Sequence, residues 1–345
     1  MSDYYRIEFF TDQMVFASSA LISKAQRIDL DYLTFGSFAV ETPLIPCKKG
    51  WFAHIVDGTE LLADGVVNDV EPQTGKQLVA VKPLQALFDV EVFATPIADV
   101  IAWLSAQITA NFINSGDAAQ NRPVAVTSSG SVGGIESDKA VINLLDIMSE
   151  ALTTYGIVVD CRLDFSNARI AVNIYQQAAT ATIESDLPNV LERSVTFGDS
   201  FGAANKLIVQ ELGTENAVIG TTEFYLHPDG TVDTNNADRI TPVFWKLKQQ
   251  KTSDDFADAA LNLAKQTLTP KAFDNEVTLK YRRGDMIAQP MQMAIGTEAV
   301  IYINGTAYRS ILTGKQIEAG AVTLTFGKVR AALTKKLILE RRNGT

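Results

Sequence analysis

The sequence predicts an α+β protein, mainly β, built from two related β-barrel modules plus an α+β domain and a small inserted domain. Three observations predict this class. Short apolar runs separated by turn residues fill both ends of the chain, helical spacing is confined to a few central segments, and one N-terminal stretch is partly repeated near the C-terminus. Short, evenly spaced strands are typical of barrels and sandwiches. At 345 residues the chain has room for two to four domains.

The repeated stretch covers residues 43–88. A gapless alignment that places Pro43 on Pro290 also places Gly58 on Gly305, so that an Asp-Gly and an Asn-Gly dipeptide each stand between two apolar runs. Such dipeptides predict a hairpin, because a type I′ turn needs positive φ at both central residues. After a shift of three residues, the alignment places residues 78–81 on residues 322–325. A duplicated module and two unrelated hairpins with a common turn are both open, and the first is favoured.

The changes in pattern predict four segments. They are a first β-barrel domain at 1–92, an α+β domain at 93–188, a second β-barrel domain at 189–216 and 272–345, and an inserted small α+β domain at 217–271. The first barrel is predicted to contain strands at 4–10 and within 27–42 before the repeated hairpin, with no helix before residue 90.

Helical spacing begins after the first barrel. Thr95-Pro96 predicts a helix start, because threonine caps and proline tolerates the first helical position, and the helix is expected to reach Phe112. A second helix is predicted from a Ser137 cap to Gly156, where glycine can adopt the left-handed conformation.

Two strands and a third helix complete the prediction. The strands are expected at 157–162 and 169–175, joined through Ser166-Asn167. The third helix, in the inserted domain, is expected from Asp254 to Leu268 after a Thr252 or Ser253 cap, since acidic residues in the first turn complement the helix dipole.

The composition disfavours several classes of function. The net charge is −10, which disfavours nucleic-acid binding because such binding needs Lys and Arg to displace counterions. Cys47 and Cys161 are far apart and predict free thiols rather than a disulfide. Acidic residues before the apolar segment 14–22 disfavour a signal peptide, and no run is long enough for a transmembrane helix. Cytoplasmic synthesis of a soluble chain is expected.

Candidate catalytic and ligand residues are few. His54 and His227 are isolated, and neither has the spacing of a zinc site. The Gly/Ser-rich loop at 128–134 lacks the Lys-Ser/Thr of a phosphate-binding loop, and Asp254-Asp255 is explained by the helix dipole. Turn positions explain three further carboxylates, Asp57, Asp64 and Asp69. We therefore predict no catalytic, cofactor-binding or metal-binding residues and no cofactor.

Basic residues are concentrated at the C-terminal end, where a solvated face and a docking surface for an acidic neighbour are both open interpretations. They are Lys328, Arg330, Lys335, Lys336, Arg341 and Arg342.

The layout and three segments together resemble the baseplate hub proteins of tailed bacteriophages, including the hub of contractile tails and the N-terminal region of tail-associated proteins of long non-contractile tails. The segments are Ala63 to Phe93, Phe224 to Val243 and Ala307 to Leu337. The first is similar to the exit of the family's first barrel, the second to its inserted strand-turn-strand and the third to the closing strands of its second barrel.

The resemblance implies a structural function. It implies a homotrimer whose six barrels form a ring that matches a sixfold tail tube or distal tail ring to threefold tip fibres or spikes, at the tip of the virion tail. DNA would pass through the ring without specific binding, and no membrane anchor is implied. Longer relatives add a cell-wall-degrading domain after the hub, and that activity is not expected of this chain.

Two alternatives remain open at this stage. A tail-tip cell-wall hydrolase would need a carboxylate pair that the sequence does not mark. A receptor-binding or glycan-binding adhesin would use exposed aromatic residues of the inserted domain, whose competing interpretation is core packing. Those aromatic residues are Phe224, Tyr225, Phe244 and Trp245.

Overall fold

A computed structural model describes residues 3–93, 97–135, 141–197, 204–227, 231–237, 239, 243, 245–253, 255–268 and 275–327. The chain divides into two compact units. The larger unit is Met1–Val195 with Glu276–Thr345, and the smaller unit is Thr196–Asn275. The predicted class is confirmed, because the fold is mainly β and contains two curled half-barrel sheets.

The first half-barrel is a six-stranded sheet with the order β2-β1-β5-β6-β7-β4. Alternate residues such as Ile7, Val40, Ile55 and Val79 point into one apolar core, as expected for strands with one buried face. A short 3-10 helix at Leu84–Phe88 follows the last strand. The strands up to this point are β1 (Tyr4–Phe10), β2 (Phe16–Ser23), β3 (Ile28–Asp31), β4 (Phe38–Pro43), β5 (Phe52–Asp57), β6 (Glu60–Gln73) and β7 (Lys76–Pro83).

An α+β layer follows the first half-barrel. Its three-stranded sheet has the order β11-β12-β9, with β12 and β9 parallel, and β8 pairs with β10. Short helical turns lie at Thr109–Ile113 and Ala118–Gln120. The elements are β8 (Glu91–Phe93), α1 (Val100–Ile108), β9 (Val124–Ser129), β10 (Val141–Asn143), α2 (Leu144–Tyr155), β11 (Ile157–Asp164) and β12 (Arg169–Gln176).

The starts of the first two helices differ from the prediction. The side chain of Asp99 caps α1 by accepting hydrogen bonds from the backbone N–H groups of Ile101 and Ala102. Thr95-Pro96, the predicted cap, lies outside the described residues, as does Ser137. Asn143 caps α2 instead, because residues 141–143 form a strand that pairs with β8. The left-handed end of α2 at Gly156 is confirmed.

The smaller unit has its own sheet and core. Its four strands have the order β17-β16-β15-β18, and α3 packs its buried alanines, Ala260 and Ala264, against Leu207 and Phe224. Two strands of the larger unit precede it, β13 (Thr180–Glu184) and β14 (Val190–Phe197). Its own elements are β15 (Lys206–Leu212), β16 (Val218–Leu226), β17 (Val232–Asp233), β18 (Trp245–Lys251) and α3 (Phe256–Leu268).

Two expectations for this region need correction. Residues 206–212 were expected in the second barrel (189–216), but β15 pairs with β16 and β18, so the small unit begins earlier than residue 217. The third helix begins at Phe256 rather than at residue 254, which lies outside the described residues. A short 3-10 turn, Thr214–Asn216, connects β15 and β16.

The second half-barrel repeats the strand order of the first. Its sheet runs β13-β20-β21-β22-β19-β14, so β20-β21-β22-β19 corresponds to β5-β6-β7-β4 in both chain order and pairing. Its core is lined by alternate residues of these strands, including Leu279, Ile301 and Leu324. The strands are β19 (Asn275–Arg282), β20 (Glu298–Ile303), β21 (Thr306–Ile317) and β22 (Ala321–Gly327).

The register of the repeat at residues 78–81 differs by one residue from the alignment that includes the shift of three residues. In the first sheet Val67 pairs with Val81 beside a bulge, and in the second Leu312 pairs with Phe326 beside the corresponding bulge. Val81 therefore corresponds to Phe326, whereas the alignment placed it on Thr325. A slip of one residue exchanges the two faces of a strand, so the predicted pairs joined buried positions to half-buried ones.

The two hairpin turns also differ from each other. Asn304 and Gly305 form the two-residue loop between β20 and β21, and both have positive φ, which confirms a type I′ turn there. In the first hairpin the loop is Gly58-Thr59, and of these two residues Gly58 alone has positive φ. The type I′ prediction at Asp57-Gly58 is therefore wrong.

Candidate assembly surface

The two half-barrels are joined by a strand that leaves its own sheet. Strand β3 lies between β2 and β4 in the chain but pairs with β21 of the second half-barrel, from Ile28 opposite Ile317 to Asp31 opposite Gly314. The next residue continues the contact, since the backbone N–H of Tyr32 donates to the carbonyl of Thr313 at 3.0 Å. Each half-barrel therefore contributes backbone to a shared sheet.

Arg283 reinforces this junction from the start of the β19–β20 loop. Its guanidinium lies 2.9 Å from a carboxylate oxygen of Asp57 and 2.8 Å from one of Glu60, and it donates to the Tyr5 hydroxyl at 3.0 Å. All three partners belong to the first half-barrel. The planar fork of arginine suits several acceptors at once, so one side chain of the second half-barrel holds the β5–β6 turn of the first.

Tyr5 is the centre of this cluster. The ammonium of Lys24 and the guanidinium of Arg283 lie over its buried ring, at 5.2 and 5.4 Å from the ring centroid. Cations over an aromatic face are attracted to its negative potential. Lys24 also pairs with Asp57 at 2.7 Å. Burial raises the pKa of the Tyr5 hydroxyl, although the nearby Arg283 opposes that shift.

A cavity of about 260 Å³ lies within the larger unit, between the half-barrels and the sheet of the α+β layer. Lys315, on β21, reaches this cavity and donates from its ammonium to the carbonyl of Met291 at 2.9 Å. Burial lowers the pKa of Lys315 to about 8, and nearby Arg162 acts in the same direction. Burial raises the pKa of Tyr32, another lining residue.

His54, one of the two candidate histidines, pairs with a buried carboxylate of its own half-barrel. Its Nδ1 lies 2.6 Å from Asp64, whose side chain is only 3% exposed. The second oxygen of Asp64 accepts from the backbone N–H of Leu163 on β11 at 2.9 Å. A buried carboxylate needs such partners, and here they connect the first half-barrel to the α+β layer.

The other candidate residues belong to the smaller unit or lie outside the described residues. In the smaller unit, His227 Nε2 lies 3.0 Å from a carboxylate oxygen of Asp233. Phe224 and Tyr225 are buried, whereas Trp245 is 62% exposed. The remaining aromatic candidate, Phe244, and the C-terminal basic residues from Lys328 onward lie outside the described residues, as does Asp254.

The two cysteines lie in environments that disfavour the thiolate. Cys47 and Cys161 are both free; burial raises the pKa of Cys47 to about 12 and that of Cys161 well above its usual value. Such thiols are poor nucleophiles. Within the described ranges, no group of three His, Cys, Asp or Glu residues is arranged to hold a metal ion. No helix in that part of the chain has the length and apolar character to cross a membrane.

The sequence patterns did not reveal the junction itself. Arg283 and Tyr5 are 278 positions apart, and neither stands in a recognisable motif. The one usable signal was the internal repeat, because two copies of a module in one chain require a surface that joins them.

Three solved structures have this fold over nearly their whole length. A tail protein from Neisseria meningitidis MC58 aligns at a TM-score of 0.55 with 12% identity, covering 95% of this chain and 98% of that one. A chain of the phage P2 baseplate aligns at 0.55 with 10% identity, covering 93% and 98%. A prophage tail protein, gp18, from Listeria monocytogenes EGD-e aligns at 0.54 with 12% identity, covering 97% and 99%.

Comparisons at the level of sequence give no match: no protein-family model and no curated protein matches the chain. The structural likeness is independent of that result. The protein has the fold of phage tail and baseplate proteins, the group that its sequence resembles.

Proposed function

We propose that the protein is a structural hub of a phage tail tip or baseplate. Three copies would form a ring of six half-barrels that adapts a sixfold tail tube or distal ring to threefold tip components, with a channel for DNA. The observation that carries this proposal is the shared strand order of the two half-barrels. Two equivalent modules in each chain give three chains six similar positions.

Further observations support a structural rather than a catalytic role. The histidines pair with single carboxylates, and the thiols are strongly disfavoured as thiolates. The net charge of −10 suits a channel through which DNA passes without binding. The fold is also that of tail and baseplate proteins, including a chain of a phage P2 baseplate.

The mass of the assembled protein tests the proposal. Size-exclusion chromatography with light scattering, run over a series of protein concentrations, should reveal a species of three chains, each of 37.5 kDa. Electron micrographs of that species should display a ring with an open centre. A stable dimer at every concentration would contradict the ring, because two chains offer four half-barrels rather than six.

A further inference from the structure

The correspondence between the half-barrels extends to the ends of β4 and β19. Because Val81 corresponds to Phe326, the strands that pair with them place Pro43 on Arg282. Leu44 and Arg283 are therefore the first residues after equivalent strands. The same ladders place Asp69–Gln73 of β6 on Gly314–Glu318 of β21.

Inside the chain, the second half-barrel contacts the first through these two features. Arg283 holds the β5–β6 turn, and the edge of β21 at Gly314–Ile317 pairs with β3. Together they form a directed contact, in which one surface of the second half-barrel meets a different surface of the first. A contact of this kind can be repeated from chain to chain, and it closes into a ring when the rotation permits.

The residues that correspond to the two sides of this contact are exposed to solvent in the single chain. Leu44 is 58% exposed, and no described strand pairs with the second half of β6 on the side away from β7, where four of the five residues at 69–73 are exposed. In the second half-barrel, the turn that corresponds to the one held by Arg283 is Asn304-Gly305, and both residues are exposed.

We propose that Leu44, beside the exposed edge of β6 at Asp69–Gln73, binds a second copy of this chain at the Asn304-Gly305 turn of its second half-barrel. The proposal rests on the trimeric ring proposed above and specifies the surface that joins its subunits. The contact between chains then repeats, head to tail, the contact that each chain already makes between its own half-barrels.

The sequence differences predict that the contact between chains is weaker than the one within the chain. Arg283 makes charge-assisted hydrogen bonds, whereas Leu44 offers apolar surface. Pro72 corresponds to Ile317, which pairs with β3, and proline has no backbone N–H to donate. The edge of β6 therefore offers fewer backbone hydrogen bonds to an added strand than the edge of β21. Assembly should depend on protein concentration for this reason.

Cysteine cross-linking tests the surface directly. Leu44→Cys and Asn304→Cys are combined in a Cys47→Ser background and treated with a short bis-maleimide, while Cys161 stays buried. The matched control combines Asn304→Cys with Phe93→Cys, since Phe93 is 82% exposed but belongs to the α+β layer. Denaturing gels should reveal cross-linked dimers and trimers for the first pair, at least five-fold more than for the control. Unchanged thermal midpoints verify that both variants fold.

The alternative outcomes separate this surface from the proposed function. A preparation that light scattering identifies as trimeric, but that yields no bands between chains, would overturn the surface and leave the ring standing. Cross-linked bands of equal intensity for the two cysteine pairs would also overturn it, because they would indicate unspecific collision between chains. A protein that stays monomeric at all concentrations and gives no such bands would count against both.

Discussion

At the scale of single residues, Arg283 bridges the junction. Its side chain is 15% exposed and contacts Asp57, Glu60 and the Tyr5 hydroxyl of the first half-barrel. Tyr5 is buried and Asp57 is 22% exposed, so loss of Arg283 costs more there than loss of a surface pair, whereas Glu60 is 48% exposed and stays solvated.

Arg283→Met should therefore lower the free energy of unfolding by about 1 kcal/mol, since the buried Tyr5 hydroxyl loses a hydrogen-bond donor while Asp57 keeps Lys24 as a partner and Glu60 is solvated. Urea denaturation followed by circular dichroism measures the change. The control is Arg309→Met, because Arg309 pairs with Glu298 on an exposed surface. Its effect should stay within about 0.5 kcal/mol. Equal losses for the two variants would contradict a special role for Arg283.

Lys315 makes stability depend on pH. Its pKa is about 8 in the folded protein, whereas an unfolded lysine titrates near 10.4. Between these values the unfolded state binds more protons, so stability rises with pH across that window. Below about pH 8 both states are protonated, and the burial cost is fully present.

Lys315→Met should remove this rise. The difference in unfolding free energy between wild type and variant should change by about 2 kcal/mol between pH 7.5 and pH 10, in favour of wild type at the higher pH. The exposed Lys49→Met serves as the control and should give a constant difference. A flat difference for Lys315→Met as well would mean that its ammonium is solvated in the folded state.

At the scale of elements, β5 and β20 are equivalent strands, and each lies between two neighbours in its sheet. Val56 pairs with Arg6 on one side and Leu61 on the other, so its backbone N–H points to a neighbouring strand whichever way it faces. Ile303 pairs with Thr306 at the turn of the second hairpin. Proline removes a ladder donor and is tolerated only at edges.

Val56→Pro should therefore abolish soluble expression, and Ile303→Pro should have the same effect or leave a protein that does not assemble. Val56→Thr keeps the branched side chain and the backbone donor, and it should remain soluble with a thermal midpoint only a few degrees lower. The yield of soluble protein and the thermal midpoint provide the measurement. Folded, assembled Val56→Pro would mean that β5 is not an interior strand.

The same elements show which features of the fold can be predicted from the sequence and which cannot. The hairpins, their order and the left-handed end of α2 follow from local patterns, since turn glycines and apolar alternation act over a few residues. The register does not, because the bulge at Leu62 adds one residue to β6 without a sequence signal. The departure of β3 to another sheet is equally invisible, since its partners lie almost 290 positions away and no local preference selects them.

At the scale of the molecule, the smaller unit interrupts the second half-barrel without sharing its core. Among the described residues, its apolar side chains form a separate cluster and its four strands pair with one another. The strands before and after it, β14 and β19, are neighbours in the sheet of the larger unit. An insertion with its own core contributes little to the fold that carries it.

Replacement of Thr196–Asn275 by a short Gly-Ser linker should therefore leave the larger unit folded. Its strand signal by circular dichroism should persist, and unfolding should remain cooperative, with a thermal midpoint within about 10 °C of wild type, since loop closure costs little. The matched variant deletes the α+β layer at 91–176 instead, which spares β13 of the second half-barrel, and it should not fold, because Asp64 and the 3-10 helix after β7 pack against this layer. If the ring is formed by the half-barrels, the first deletion variant should also keep the number of chains of the wild-type assembly, as light scattering measures it. A folded deletion variant that no longer assembles would indicate that the inserted unit makes the contacts between chains.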